Sequence, residues 1–163
     1  MSRWRPPQPK SSPYITAAGY QILESELKQL WERRKHVTTA LSAAAAEGDR
    51  SENAEYIYRK KELREIDRRI HYLQKRLPAL TVVTAKPDNQ SQVFFGAWVT
   101  LETMSGEEVT YRIIGADEID TSGGLISLDS PLAKALLKKH LDDEIVVRQG
   151  DQENRYYIVA IRY

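Results

Sequence analysis

Leu63-Arg64-Glu65-Ile66-Asp67-Arg68-Arg69-Ile70-His71-Tyr72-Leu73-Gln74-Lys75-Arg76-Leu77-Pro78 decides the first half of the fold. Leu63, Ile66, Ile70, Leu73 and Leu77 recur at alternating spacings of three and four, and most residues between them are charged or polar. This spacing predicts a helix with one narrow apolar stripe. Pro78 stops it, because proline lacks a backbone N–H and its ring clashes with the preceding turn.

The same period runs upstream through Tyr20, Leu23, Leu27, Leu30, Arg34, Val37, Leu41 and Ala44, with Thr16 as N-cap and Arg34 as a polar break in the seam. Ala43 to Ala46 are strong helix formers at its far end. Only Glu47, Gly48 and Asp49 interrupt the two patterns, so the helices fold back antiparallel. Arms of about 30 residues are roughly 45 Å long at 1.5 Å per residue. Each stripe can be covered only by the other arm, so the expected product is a coiled-coil hairpin with a distinct tip.

Beyond Pro78 the pattern changes to Val93–Leu101, Val109–Ile114, Leu125–Leu128, Glu144–Val147 and Tyr156–Ile161, rich in β-branched and aromatic residues. Ser105-Gly106 and Gly123-Gly124 supply turns, so antiparallel strands are expected. Ser130 and Pro131 start one short helix with Leu132, Leu136 and Leu137 on its apolar face. The class is α+β. Its divisions are a flexible tail at 1–13, held out of helix by its prolines, a hairpin at 14–79 and a globular domain at 80–163.

The bulk numbers suit a soluble chain of one or two small domains: 163 residues, 41% hydrophobic and 29% charged. The longest apolar stretch, near Val93 to Val99, falls far short of the roughly 20 residues that span a bilayer, and no apolar signal core opens the chain. A cytoplasmic address and no membrane partner are therefore expected. With no cysteine, disulfides, thiolate zinc sites and cysteine nucleophiles are excluded. His36, His71 and His140 are too scattered to suggest a metal cluster. A net charge of +1 is uninformative until its distribution is read.

Two charge features stand out, and each has two readings. The tip Glu47-Gly48-Asp49-Arg50-Ser51-Glu52-Asn53 gathers carboxylates where the chain reverses. Asp49 with Glu52 three residues later is a variant capping box; alternatively, the acids face a ligand. Arg59, Lys60, Lys61, Arg64, Arg68 and Arg69 outnumber Glu62, Glu65 and Asp67, and Lys60, Arg64 and Arg68 share a face. They form either a solvated flank with pairs such as Lys61 and Glu65, or a track for phosphates leading to a metal-binding end.

Gly48-Asp49-Arg50-Ser51-Glu52-Asn53-Ala54-Glu55-Tyr56 resembles the tip signature of the bacterial Gre transcript-cleavage factors. Tyr58 to Arg69 is similar to the more basic GreB branch, and Phe94-Phe95-Gly96-Ala97-Trp98-Val99 and Asp129-Ser130-Pro131 through Lys139 extend the likeness across residues 14–163. Glu47, where an apolar or small residue is expected, and the Arg/Pro-rich tail depart from the pattern.

The resemblance implies a coiled-coil hairpin followed by an FKBP-like domain, in a monomeric accessory factor of RNA polymerase with no small-molecule substrate of its own. It implies that Asp49 and Glu52 enter the polymerase secondary channel and share a Mg2+ ion with the polymerase active site. The polymerase would then hydrolyse its backtracked nascent RNA. It further implies that Arg59, Lys60, Lys61, Arg64, Arg68 and Arg69 hold the RNA 3′ end, and that Ser130, Pro131, Leu136 and Lys138 belong to a polymerase-docking patch. Competing readings are a non-cleaving secondary-channel modulator and a helical adaptor whose tip acids are only caps.

Overall fold

The computed structural model describes residues 6–48 and 52–163. They form two compact units, one of Ala18–Leu80 and one in which the N-terminal segment up to Ala17 joins Thr81–Tyr163.

The first unit is the helical hairpin, with α1 at Ala17–Ala46, α2 at Ala54–Arg76 and a closing 3-10 turn at Leu77–Ala79. Val37, Ile66 and Ile70 are its buried centre, packed with Leu27, Leu30 and Leu63. Burying each such side chain is worth about 1.5–3 kcal/mol, and the narrow stripe is satisfied only by the facing arm. Arg33 meets Glu62 and Glu26 meets Arg69, so earlier residues of α1 face later residues of α2. The arms are therefore antiparallel. Arg34, the polar break, stays at the margin and donates to Asp67 at 2.7 Å, so it never leaves an unpaired charge in the seam.

The second unit starts with β1 at Tyr14–Thr16 and β2 at Thr81–Val83, which pair in parallel. It continues with β3 at Trp98–Thr103, β4 at Glu108–Ile114, β5 at Leu125–Ser127, α3 at Pro131–Leu136, β6 at Glu144–Gln149 and β7 at Gln152–Arg162. The five-stranded sheet has the order β5-β4-β3-β7-β6. One face, with Val99, Leu101, Ile113, Ile145, Val147 and Ile158, packs with Ala133 and Leu136 of α3 in the core. Alternation along the strands sends every second residue there.

Three expectations change. Residues 14–16 are a strand of the globular unit, not the start of the hairpin; Ile15 is fully buried and Thr81 N donates to Pro13 O at 2.7 Å. Val93–Ala97 is not strand, because Gly96 at φ +88° turns the chain and Ala97 N donates to Phe94 O. Most of the sheet is antiparallel as expected, but β5 joins β4 in parallel. Gly124, at φ +73°, stands where the chain enters that pairing. A Cβ there would lie 2.7 Å from Thr110 O, so glycine alone lets the returning chain run close against β4.

Candidate functional site

The tip is built between the last turn of α1 and the first turn of α2. Asp49, Arg50 and Ser51 lie outside the described residues, so the assignment of Asp49 has no structural counterpart here. Glu52 stands one residue before the cap and is exposed. The cap itself is Asn53, not Asp49: Asn53 has extended backbone and its Oδ1 accepts from Tyr56 N at 3.1 Å. The acid of the first turn is Glu55.

This corrects the capping-box reading of Glu52. Its carboxylate precedes the helix instead of occupying the third helical position, and it makes no hydrogen bond or ion pair among the described residues. Leaving a carboxylate unengaged at a solvent-facing tip costs little stability, because water solvates it. It is chemically available for a partner.

Among the described residues no group of three or more His, Cys, Asp or Glu side chains comes together to hold a metal ion. Magnesium demands six oxygen ligands in near-ideal octahedral geometry. Glu52 therefore fits only as one contributor to an ion whose other ligands come from elsewhere.

The six basic residues of α2 divide into two sets. Arg59 donates to Glu55 at 2.7 Å and to Glu62 at 3.0 Å, and Glu62 is also held by Arg33 at 2.6 Å. Burial would push the Glu62 carboxyl up, but hydrogen bonds from Arg33 and Arg59 hold it below the ordinary range. Arg69 grips Glu26 across the hairpin. Lys60, Lys61, Arg64 and Arg68 are exposed and form no ion pair among the described residues; the pair anticipated between Lys61 and Glu65 does not form. By helical period these four share the surface turned away from α1. Positive charge predominates on that surface, with Glu65 exposed beside Arg68, and Ile57 and Tyr58 are exposed nearer the tip.

In the globular unit, Ser130 caps α3 by accepting from Ala133 N at 3.2 Å, and Pro131 takes the first helical position and is exposed. Lys138 is exposed at φ 67°. Leu136 is not part of a docking surface: it is 0% exposed, because the face of α3 that carries it packs on the sheet. Asp129, beside the cap, accepts from Ser12 N at 2.8 Å and from the Ser12 hydroxyl, so the end of the N-terminal segment is fastened to this loop. Nothing in the spacing of residues signalled that fastening; the cap at Asn53 was missed because the spacing favoured Asp49, although asparagine ranks with aspartate as an N-cap and was the available signal.

Residues 13–82 match the family described as transcription elongation factor, N-terminal, and residues 87–163 match transcription elongation factor, GreA/GreB, C-term. The chain belongs to the GreA/GreB family of transcription elongation factors.

Within that family its relatives carry the name transcription elongation factor GreB. The protein of Xanthomonas axonopodis pv. citri is 56% identical over 100% of this chain and 98% of its own length. The Pseudomonas aeruginosa protein is 54% identical over 100% and 98%, and that of Pasteurella multocida 57% over 93% and 97%. Among solved structures, the GreA factor homolog 1 (Gfh1) protein of Thermus thermophilus is 25% identical, with 92% of this chain and 98% of that chain covered and a TM-score of 0.43.

Proposed function

We propose that this elongation factor carries Glu52 and Asp49 through the secondary channel of RNA polymerase and stimulates endonucleolytic cleavage of backtracked nascent RNA, rescuing arrested complexes. The observation that carries the reading is the exposed Glu52 carboxylate, which the fold does not use for capping or pairing. Family membership supports the partnership with the polymerase.

Glu52 and Asp49 would hold a Mg2+ ion jointly with carboxylates of the polymerase. When bound, such an ion helps generate hydroxide and neutralises charge on the oxygens of a phosphodiester. The chain's own contribution is to bring two carboxylates on a slim hairpin and to grip RNA. Lys60, Lys61, Arg64 and Arg68 carry the grip, since their charges are uncompensated. Arg59 and Arg69 support it indirectly, by holding carboxylates that fix the arms. The factor acts as a monomer in the cytoplasm, and Pro131 and Lys138 present the docking patch of the globular unit.

The test is magnesium-dependent RNA cleavage in stalled, backtracked polymerase complexes, with wild-type factor, Asp49→Asn and a control lacking polymerase. Cleavage only with wild type and only with polymerase is expected. Competition for the channel without cleavage by the wild type would instead establish the non-cleaving modulator.

A further inference from the structure

Asn53 does two jobs with one side chain. Its Oδ1 accepts from Tyr56 N at 3.1 Å, closing the first turn of α2, and its Nδ2 donates to the carbonyl of Ala44 at 2.9 Å, in the last turn of α1. Its own carbonyl accepts from Ile57 N at 3.1 Å. The Ala44 carbonyl needs a donor from outside its helix, since the last four C=O groups of a helix have no intrahelical partner. It also receives Glu47 N at 3.2 Å. One side-chain amide therefore ties the end of the first arm to the start of the second, and the residue that carries it follows Glu52 directly in the chain.

We infer that Asn53 is a positioning residue for the tip, which fixes the backbone on which Glu52 is carried and so sets where its carboxylate meets the reacting complex. This rests on the function proposed above. The chemistry selects asparagine. Aspartate can cap but has no N–H for Ala44 and would set a negative oxygen against that carbonyl. Serine can cap but is too short to reach both arms and has a single hydroxyl hydrogen. Alanine loses both bonds. A carboxylate displaced by about 1 Å can lose on the order of 10²-fold in rate while leaving binding by the rest of the molecule intact.

The experiment compares wild type, Asn53→Asp, Asn53→Ala, Glu52→Gln and the double variant Asn53→Asp/Glu52→Gln, all as full chains. Three quantities are read: cleavage rate at saturating factor in backtracked complexes, affinity for the polymerase by competition, and helix content with its thermal midpoint. Exchange protection of the Tyr56 amide reports separately on the cap. The expected result is that Asn53→Asp keeps helix content, Tyr56 protection and competition within about twofold, yet loses roughly 10-fold or more in maximal rate. The double variant should lose no more than Glu52→Gln alone, because the two residues act as one unit. Wild-type rate in Asn53→Asp overturns the inference. So does a loss that merely follows melting of the helices or weaker competition, and so does an additive double variant. Failure of the wild type to stimulate cleavage at all would instead remove the proposed function on which the inference rests.

Discussion

Arg69 reaches from α2 to α1 and holds both carboxylate oxygens of Glu26, at 2.6 and 2.9 Å. A guanidinium used this way is a brace between the arms. Arg69→Ala should lower hairpin stability by about 0.5–1 kcal/mol, the range for a well-formed but partly exposed pair, and should leave the salt dependence of RNA engagement unchanged. Thermal melts of the full chain check the first expectation.

The opposite profile is expected on the far face of α2. Replacing Lys60, Arg64 and Arg68 together by alanine should barely move the melting temperature, since none of the three forms an ion pair among the described residues. It should flatten the log–log salt dependence of affinity for backtracked complexes by about 2, because each phosphate neutralised on a single strand adds about 0.7 to that slope. An unchanged slope would show that this strip does not touch RNA.

Gly115 is packed so that an added Cβ would lie 2.1 Å from Tyr14 O and 3.1 Å from Glu118 Oε2. Glu118 accepts from Gly115 N at 2.9 Å and from Thr16 N at 3.1 Å, and so holds β1 beside the end of β4. Gly115→Ala must push that backbone away and should cost on the order of 2 kcal/mol. Urea unfolding of the full chain, with loss of exchange protection at Ile15 and Thr16, measures it.

Acid should loosen the hairpin in a defined window. Glu62 has a folded pKa held down by Arg33 and Arg59 against the opposing effect of burial. Its contribution is complete above the unfolded glutamate pKa, about 4.3, and is lost as pH falls through the lower folded value. Helix signal against urea should therefore weaken on going from about pH 5 to pH 3, and Glu62→Gln should remove part of that slope.

Leu136→Ala distinguishes core from docking surface. Because Leu136 is fully buried on the sheet-facing side of α3, its loss should destabilise the globular unit by about 2–5 kcal/mol. Lys138→Ala should leave stability within about 0.5 kcal/mol, as exposed substitutions do.

The hairpin was legible because a 3.5-residue period with a proline stop leaves a helix few alternatives, and Leu63, Ile66, Ile70, Leu73 and Leu77 all lie on the stripe. The strand at Tyr14–Thr16 was not, since three residues carry no usable alternation and its partner, Val82 opposite Ile15, is distant in sequence. The parallel entry of β5 was hidden for a related reason: Gly123-Gly124 reads as a hairpin turn until the proximity of Thr110 is known. At the tip, spacing misassigned the cap. Asp49 and Glu52 stand at capping-box distance, but Asn53 takes the role because its side chain also satisfies Ala44.

The most direct measurement titrates magnesium in the cleavage reaction of backtracked complexes, at saturating factor, for wild type and Glu52→Gln. Shared ligation of the ion predicts that Glu52→Gln needs more magnesium and, at a fixed low concentration, cleaves at least about 10²-fold more slowly, equivalent to about 2.7 kcal/mol. Its competition for the polymerase should stay as in wild type. A Glu52→Gln factor with wild-type rate and wild-type magnesium dependence would contradict the account.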